Sequence, residues 1–125
     1  MLIKEKLRAV IDKYRWHPDF LGIEIEDPNQ PGAVDDTVLH IASMKGELED
    51  MRILIASGAN VNATGDLGNT PLHQAALVGQ AQAVKVLLEN GADVGVRNEF
   101  GETALQVAEQ GNHKEVADIL RSAHS

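Results

Sequence analysis

One block of residues recurs along this chain at a fixed interval, and this recurrence restricts the possible folds more than any other feature of the sequence. The same residue types return every 33 positions in three successive blocks. The matching positions are Thr37, Thr70 and Thr103, then Leu39, Leu72 and Leu105, then Ala42, Ala75 and Ala108. Self-similarity with a period of roughly 20–50 residues is typical of solenoids, in which each unit buries its apolar side against the next. We therefore expect a stack of similar units and not a globule around one central core.

The best preserved block reads TPLHQAA over residues 70–76 and is followed by Gly79. This text resembles the central signature of the ankyrin repeat, T-P-L-H-x-A-A-x-x-G. The resemblance implies an all-α fold, an ankyrin-repeat solenoid of stacked helix-turn-helix units with β-hairpin loops between them. Three repeats are recognisable, and an N-terminal capping helix with a degenerate first repeat precedes them.

Glycines at repeated positions divide each unit into two helices. Gly46 and Gly79 are expected to form the turn between the helices, because a left-handed backbone is unstrained only for glycine. In the last unit this turn is assigned to Gly111-Asn112, with the glycine one place early relative to Gly79. The whole chain is therefore predicted to be one repeat domain. Its segments are 1–33 for the N-terminal cap and degenerate repeat, 34–66 and 67–99 for two repeats, and 100–125 for the C-terminal capping repeat.

The N-terminal residues predict an amphipathic helix over 2–15. Apolar side chains recur there at helical spacing, and Trp16-His17-Pro18 ends the pattern because the residue before proline disfavours the helical region. The apolar stripe consists of Ile3, Leu7, Val10, Ile11 and Tyr14. We expect this stripe to pack on the first full repeat, since a terminal unit must cover an apolar flank. A face for a partner helix or for a membrane surface is the alternative.

The segment after this helix begins with residues that do not match the repeats and ends with residues that match the 33-residue repeat again. Residues 16–21 have no counterpart in the repeats. Ile23 and Ile25 alternate with glutamates, which predicts a short extended segment. The triplet Asp-Pro-Asn at 27–29 resembles the triplets one and two periods later. Residues 1–33 are therefore expected to keep the second helix and the outgoing loop of a repeat, but not its first helix.

Asp50 departs from the repeat pattern. Ala83 and Val116 occupy its place one and two periods later, and the family usually has a branched aliphatic side chain there. A carboxylate that is buried without a partner would be destabilising. We therefore expect Asp50 either to pair with a basic side chain of the N-terminal helix or to be open to solvent.

The residue types that usually carry catalysis or metal binding do not form a site in this sequence. Cysteine is absent, and no two histidines have the i, i+4 spacing of a helical metal site. The resemblance implies that His40 and His73 hydrogen-bond within and between the repeat loops, and Gln106 stands at that position in the third repeat. No serine lies in a G-x-S-x-G setting, and no phosphate-binding loop is present. The protein is therefore predicted not to be an enzyme, with no metal, cofactor or small-molecule substrate.

The charge is strongly negative and unevenly distributed. The formal net charge is −8, with residues 1–15 contributing +3 and residues 16–125 contributing −11. An array this acidic repels nucleic acid and anionic lipid and attracts a basic protein surface. The N-terminus lacks the apolar core of a secretory signal, and the sequence has no apolar run of about 18 residues that could span a membrane. The predicted location is cytoplasmic.

The resemblance implies a partner-binding surface formed by the loop tips and by the exposed sides of the first helices. Rigid stacked units hold side chains at fixed spacing, so little ordering entropy is lost when a partner binds. By position, the tips are Ala33, Asp35, Asp36, Asp66, Leu67, Asn69, Glu99, Phe100 and Glu102. The helix side is predicted to consist of Val38, Ile41, Lys45, Gln74, Val78 and Val107. Leu67 and Phe100 are apolar tip residues among acids, which is typical of a binding hot spot; packing along the row of loops is the alternative.

These features predict a non-enzymatic protein–protein interaction module that binds a partner with a basic surface through its acidic concave groove and tips. One alternative, which size and charge support, is an inhibitor or immunity-type antitoxin that blocks the active site of a basic toxin or enzyme. A second alternative is a structural adaptor or a homodimer joined through the N-terminal helix stripe. A monomer is the expected oligomeric state.

Overall fold

The computed structural model describes residues 2–22, 25, 27–32 and 35–124, without the side chain of His124. Ile23, part of the expected extended segment, and Ala33, one of the expected tip residues, lie outside these residues. Across the described residues the chain forms seven α-helices and no β-strand. The helices are α1 (Ile3–Tyr14), α2 (Val38–Lys45), α3 (Leu48–Ala56), α4 (Pro71–Val78), α5 (Ala81–Glu89), α6 (Ala104–Gln110) and α7 (Lys114–His124).

The helices stack in two layers. The inner helices α2, α4 and α6 pack on one another in succession, and the outer helices α1, α3, α5 and α7 do the same. Each inner helix also packs on the outer helix that follows it in the chain. The structure is thus a solenoid of helix-turn-helix units, and the all-α repeat fold expected from the sequence is confirmed.

The residues that recur with the 33-residue period are those at which neighbouring repeats meet. Ala42, Ala75 and Ala108 are completely buried on the inner helices, where their small side chains allow close approach. Leu39 and Leu72 are buried as well, whereas their counterpart Leu105 in the last repeat is only partly covered. The period therefore marks the inter-repeat core, and the last unit has an open flank.

Helix α1 takes the place of the outer helix of a first repeat. It packs on α3, and the last three residues of its apolar stripe, Val10, Ile11 and Tyr14, are buried. The predicted packing of this stripe on the first full repeat is confirmed. The first two residues of the stripe are not buried, since Ile3 is exposed and Leu7 is partly exposed. The alternative of a homodimer joined through the N-terminal helix stays a prediction.

Described residues between α1 and α2 contribute to the core at the first end of the stack. No inner helix precedes α2 in the described part of the chain, yet all residues from 38 to 43 are buried. Phe20, at the end of the short 3₁₀ turn Pro18–Phe20, is completely buried in the same core. A Cβ on Gly32 would lie 2.7 Å from the carbonyl oxygen of Asp19, so the two backbones are in close contact. Of the irregular residues, Phe20 thus shares one core with the side chains of the inner helix α2.

The loop between successive repeats ends in a tight tip. One backbone hydrogen bond closes each tip: Gly32 N to Asp36 O at 2.8 Å, Gly65 N to Asn69 O at 2.8 Å, and Asn98 N to Glu102 O at 2.9 Å. The β-hairpin loops that the sequence predicts are therefore reduced, among the described residues, to one closing pair without a strand ladder. Asp35, Gly68 and Gly101 all have a left-handed backbone at the same place in the tip.

The turn between the two helices of each repeat requires one left-handed residue. Gly46 and Gly79 have φ values of 71° and 76°, as expected. In the third repeat, however, Asn112 has a φ of 60°, whereas Gly111 has a right-handed backbone. The turn lies at Gly111-Asn112 as predicted, but its left-handed residue is the asparagine and not the glycine. Asn112 lies one period after Gly79, and asparagine is among the few non-glycine residues that tolerate this conformation.

Asparagines at a repeated position link the outer ends of the units. The Asn29 side chain donates to the carbonyl of Gly58 at 3.0 Å and accepts from the amide of Asn60 at 2.7 Å. Asn62 repeats both bonds one period later, to Gly91 and Asp93. The resemblance of the triplet at 27–29 to the later triplets therefore reflects an equivalent structural role.

Asp50 is paired with α1. Its carboxylate accepts hydrogen bonds from the Lys13 ammonium at 2.8 Å and from the Tyr14 hydroxyl at 2.9 Å. The Asp50 side chain is only 12% exposed, so these bonds compensate for its removal from water. Of the two expectations for this residue, pairing with the N-terminal helix is confirmed. Burial raises the pKa of Tyr14, and the Asp50 carboxylate raises it further.

We expect Asp50→Ala to lower the free energy of unfolding by about 1–2 kcal/mol, because the buried Tyr14 hydroxyl would lose its acceptor. Tyr14→Phe in the Asp50→Ala background should restore part of this loss, since no buried donor then remains unsatisfied. Urea denaturation of the two single variants and the double variant measures both quantities. Strictly additive losses would contradict the coupling between Asp50 and Tyr14.

Candidate functional site

Hydrogen bonds fasten the tips of successive repeats to one another. The amide of Asp66 donates to the Asp36 carboxylate at 2.9 Å, which joins the first tip to the second. The amide of Glu99 donates to the carbonyl of Leu67 at 2.9 Å, which joins the second tip to the third. Asn98 adds a side-chain bond to Asn69 at 3.0 Å. The three tips therefore form one rigid row, which is the arrangement that lowers the entropy lost on binding.

Asp36 lies beneath this row and is 7% exposed. In addition to the bond from Asp66, its carboxylate lies 3.5 Å from the Gln74 amide nitrogen. Burial raises the pKa of Asp36, while the bond from Asp66 and the nearby His40 act in the opposite direction. The expectation that Asp36 is exposed at a tip is therefore wrong, because its carboxylate is used inside the protein to fix the next loop.

The inner helices present different residues to solvent from those predicted. Four of the residues assigned to the binding groove are buried and point to the inter-repeat core: Val38, Ile41, Gln74 and Val107. This assignment is wrong because the inner helices pack on one another and on the outer helices, which covers these side chains. The exposed apolar residues of this layer are Leu77 and Val78, at 53% and 43% exposure.

Of this pair, Val78 was expected at the surface and Leu77 was missed. Both residues could have been recognised from their position in the sequence, because they follow the buried alanines of α4 and immediately precede the turn glycine. The same places in the first repeat are held by Met44 and Lys45, of which Lys45 is exposed as predicted.

The second and third tips carry two exposed apolar side chains. Phe100 is 67% exposed and Leu67 is 45% exposed, so neither side chain is buried within the row of loops. Leu67 has a φ of 58°, a conformation that costs about 1–2 kcal/mol for a residue with a branched side chain. The amide of Phe100 donates to the Asn98 side chain at 3.0 Å, which orders the backbone beneath the aromatic ring.

The remaining predicted tip residues surround these two side chains with carboxylates. Asp35, Asp66 and Glu99 are exposed, and Asn69 and Glu102 are partly buried. Arg97 is the basic side chain of the third tip, and its guanidinium donates to the carbonyl of Gly101 at 2.8 Å. The exposed part of the row is therefore an apolar pair with an acidic border.

The histidines of the repeats are structural. The amide of Thr70 donates to Nδ1 of His73 at 3.1 Å, so Nε2 carries the proton and donates to the carbonyl of Glu102 in the next tip at 2.8 Å. His40 makes the equivalent bonds, to Thr37 at 3.0 Å and to Asn69 at 2.9 Å. These bonds agree with the role that the sequence resemblance implies. Burial lowers the pKa of both histidines.

A lowered histidine pKa makes stability depend on pH. Below the unfolded value of 6.5 the unfolded chain binds a proton at His73 that the folded chain does not bind, so stability decreases as the pH falls through that range. We expect the Tm to fall by a few degrees between about pH 7 and pH 5. His73→Gln should make this decrease smaller, because Gln106 makes the corresponding bond to Thr103 at 2.8 Å. Circular dichroism melts at both pH values test this, and equal decreases in the two proteins would contradict it.

The described residues contain no group of three or more histidine, aspartate and glutamate side chains that could hold a metal ion. No helix among them is long and apolar enough to cross a bilayer. The arrangement that the structure does provide is a rigid row of tips beside a layer of inner helices.

Two stacked layers of paired helices, joined by loops whose tips are hydrogen-bonded in a row, define a helical repeat protein. The family model for ankyrin repeats in three copies matches residues 19–98 and 39–125. Because these matches span most of the sequence, the chain belongs to the ankyrin repeat family. A search of curated proteins finds no match. Ankyrin repeats are generally protein–protein interaction modules and are generally non-enzymatic.

Proposed function

We propose that this protein is a non-enzymatic module that binds the basic surface of a partner protein through the tips of its second and third repeats. The observation that carries this proposal is the exposed pair Leu67 and Phe100, which stands among carboxylates on tips that are hydrogen-bonded to each other. In the following we call this pair, together with Asp66 and Glu99, the tip patch.

The apolar part of the tip patch supplies affinity. Covering an exposed phenylalanine side chain is worth about 1.5–3 kcal/mol, and aromatic anchors of this kind are typical of binding hot spots. The tips are fixed by bonds between repeats, so a partner gains this energy without first ordering a loop. Leu77 and Val78 add exposed apolar area on the inner layer.

The acidic part of the tip patch supplies selectivity. Asp66 and Glu99 are exposed beside the apolar pair, and residues 16–125 carry a net charge of −11. Charges at the border of an interface mainly accelerate association and exclude partners of like charge. A basic partner surface with an apolar recess is therefore the complement of this patch.

The proposal is tested by affinity capture from the cells that make the protein, followed by mass spectrometry and a binding titration of the recovered partner. Phe100→Ala is expected to weaken binding about 30-fold, the effect of a hot-spot residue worth about 2 kcal/mol. Glu99→Lys should slow association, whereas the matched control Glu115→Lys, at an exposed position of α7, should not. Unchanged binding by Phe100→Ala with an unchanged helical spectrum would refute the proposal.

A further inference from the structure

The second and third tips are each closed at a carbonyl that also receives a hydrogen bond from a buried histidine. In the third tip, the carbonyl of Glu102 accepts the closing bond from the Asn98 amide and a bond from Nε2 of His73 on α4. In the second tip, the carbonyl of Asn69 is bonded in the same way by His40 of α2. The two tips that carry the tip patch are therefore the two that a histidine of the preceding inner helix holds.

A second proton cannot bind to either ring without breaking the bonds around it. Nδ1 of His73 accepts from the amide of Thr70 at 3.1 Å, and the Thr70 hydroxyl lies 2.9 Å from the same nitrogen. A proton on Nδ1 would leave the amide without its acceptor and place two N–H groups against each other. The ring is 2% exposed, so water cannot take the place of the lost bond. The charged ring must therefore move, and Nε2 then releases the carbonyl that closes the third tip.

Carboxylates near the rings oppose this effect without cancelling it. Among the described residues, the titratable groups that act on the two rings, directly or through Asp36, are Asp19, Asp36, Asp66, Glu102 and the rings themselves. Asp36 beside His40 and Glu102 beside His73 favour a charged ring, but burial has the larger effect and lowers the pKa of both histidines. A ring therefore binds a proton more readily in an opened tip than in a closed one.

The third tip is expected to show the effect most clearly. Burial raises the pKa of Asp36, so proton uptake by this carboxyl favours the closed second tip and acts against His40. In the third tip, Asn69 takes the place of Asp36 one period later and bonds Asn98 with an uncharged side chain. His73 is thus opposed there by Glu102 and not by a buried carboxyl beneath the tip.

We propose that His40 and His73 make the order of the tip patch depend on pH, so that the second and third tips open in mildly acidic solution while the helices stay folded. The consequence for binding rests on the proposed function. An opened tip no longer holds Leu67 or Phe100 in a fixed position, so a partner must order the loop before it gains the contact. The tip patch would therefore release its partner as the pH falls.

Proton linkage gives the size of the effect. A histidine in contact with water has a pKa of about 6.5, so an opened tip gains most of its proton between about pH 7.5 and pH 5.5. The lowered pKa of the closed state means that the closed tip is favoured at high pH and loses this advantage as the pH falls through about 6.5. Over this range the ratio of opened to closed tips rises up to about tenfold for each ring.

Hydrogen exchange of backbone amides, followed by NMR at both pH values without a partner, tests the proposal. Protection is the exchange rate relative to the intrinsic rate of the amide at the same pH. The Asn98 amide, which closes the third tip, should be less protected than the amide of the buried Leu87 on α5. Its protection should fall up to about tenfold between the higher and the lower pH.

Glutamine variants separate the two tips. His73→Gln should remove the pH dependence at Asn98, because a glutamine can accept from the threonine amide without titrating, as Gln106 does at 2.8 Å in the third repeat. It should leave the pH dependence of the Gly65 amide, which closes the second tip. His40→Gln should have the reverse pattern. His113→Gln is the matched control and should change neither tip, since Nε2 of His113 lies 3.1 Å from the carbonyl of Leu77, outside the tips.

Two results would overturn the inference. If the wild-type tips were protected as strongly as Leu87, or if each glutamine variant changed both tips equally, the amides would exchange only when the whole chain unfolds. The wild-type comparison decides this even if a variant does not fold. Tips that do not respond to pH, with Phe100-dependent capture intact, would refute this inference alone. Tips that open in acid without Phe100-dependent capture at neutral pH would refute the proposed function alone.

Discussion

Leu72→Ala is expected to lower the free energy of unfolding by about 2–5 kcal/mol, the loss that a fully buried leucine shows in a packed core. Leu72 lies on α4, between the inner helices α2 and α6, and almost none of its surface is accessible. Both neighbours are helices of rigid repeats, so the cavity left by the substitution cannot collapse easily. The measurement is urea denaturation followed by circular dichroism.

Leu105→Ala provides the matched control, because Leu105 holds the same place in the third repeat but is only partly buried. Its expected loss is about 1 kcal/mol, since less apolar surface returns to water. Equal losses for the two variants would contradict the assignment of an open flank to the last repeat.

The second large effect is expected for Gly65→Ala, with a loss of about 3 kcal/mol. A Cβ at this position would overlap the Asp36 carboxylate oxygen and lie 3.1 Å from the Asp36 Cα. The carboxylate is buried and holds the amide of Asp66, so it has no free space into which it can move. Overpacking accounts for about 1–3 kcal/mol of the loss, and the weakened bond to a charged acceptor accounts for the remainder.

Gly95→Ala is the control for this substitution. A Cβ there meets only the Asp93 carboxylate oxygen, at 3.3 Å, and Asp93 is exposed and able to move. The expected change is within about 0.5 kcal/mol, as for most surface substitutions. If Gly65→Ala were as mild as Gly95→Ala, the close contact between the second tip and Asp36 would not exist in solution.

These stability predictions and the proposed binding role depend on the same structural feature, the hydrogen bonds that hold the row of tips. The tip patch is rigid because buried groups form hydrogen bonds with the neighbouring tips, as the Asp36 carboxylate does with Asp66 and the His73 side chain does with Glu102. A substitution beneath the row should therefore also weaken binding, without touching the partner. Gly65→Ala should show reduced capture even at temperatures where its helices remain folded.

Much of this fold was predictable from the sequence because its determinants are local. The helix α2 ends at Gly46, where the sequence predicts the turn, because this glycine acts through its own left-handed backbone conformation. The pairing of Asp50 was predictable in part, because a carboxylate in place of an aliphatic side chain requires compensation. Its partner Tyr14 was not foreseen, since only the packing of α1 on α3 brings the hydroxyl to it.

The candidate site was predictable only where exposure follows from position in a tip. Phe100 and Leu67 project from loop ends, and their exposure was expected. Exposure on the inner helices was not predictable from the sequence. A residue such as Ile41 is exposed to solvent in an isolated helix but is buried once the neighbouring helices pack against it. The same applies to Asp36, whose acidic character suggests a surface position but whose carboxylate fixes the next loop.

The sequence by itself therefore determined the period, the helix pairs, their turns and the acidic character of the chain, because these depend on residue type and on short-range backbone preferences. Only the tertiary structure decided which side chains remain at the surface. It buried Val38, Ile41 and Gln74, left Leu77 exposed, and assigned the left-handed turn to Asn112. Burial depends on the whole stack, because the side chains of one repeat are covered only when the neighbouring repeats pack against it.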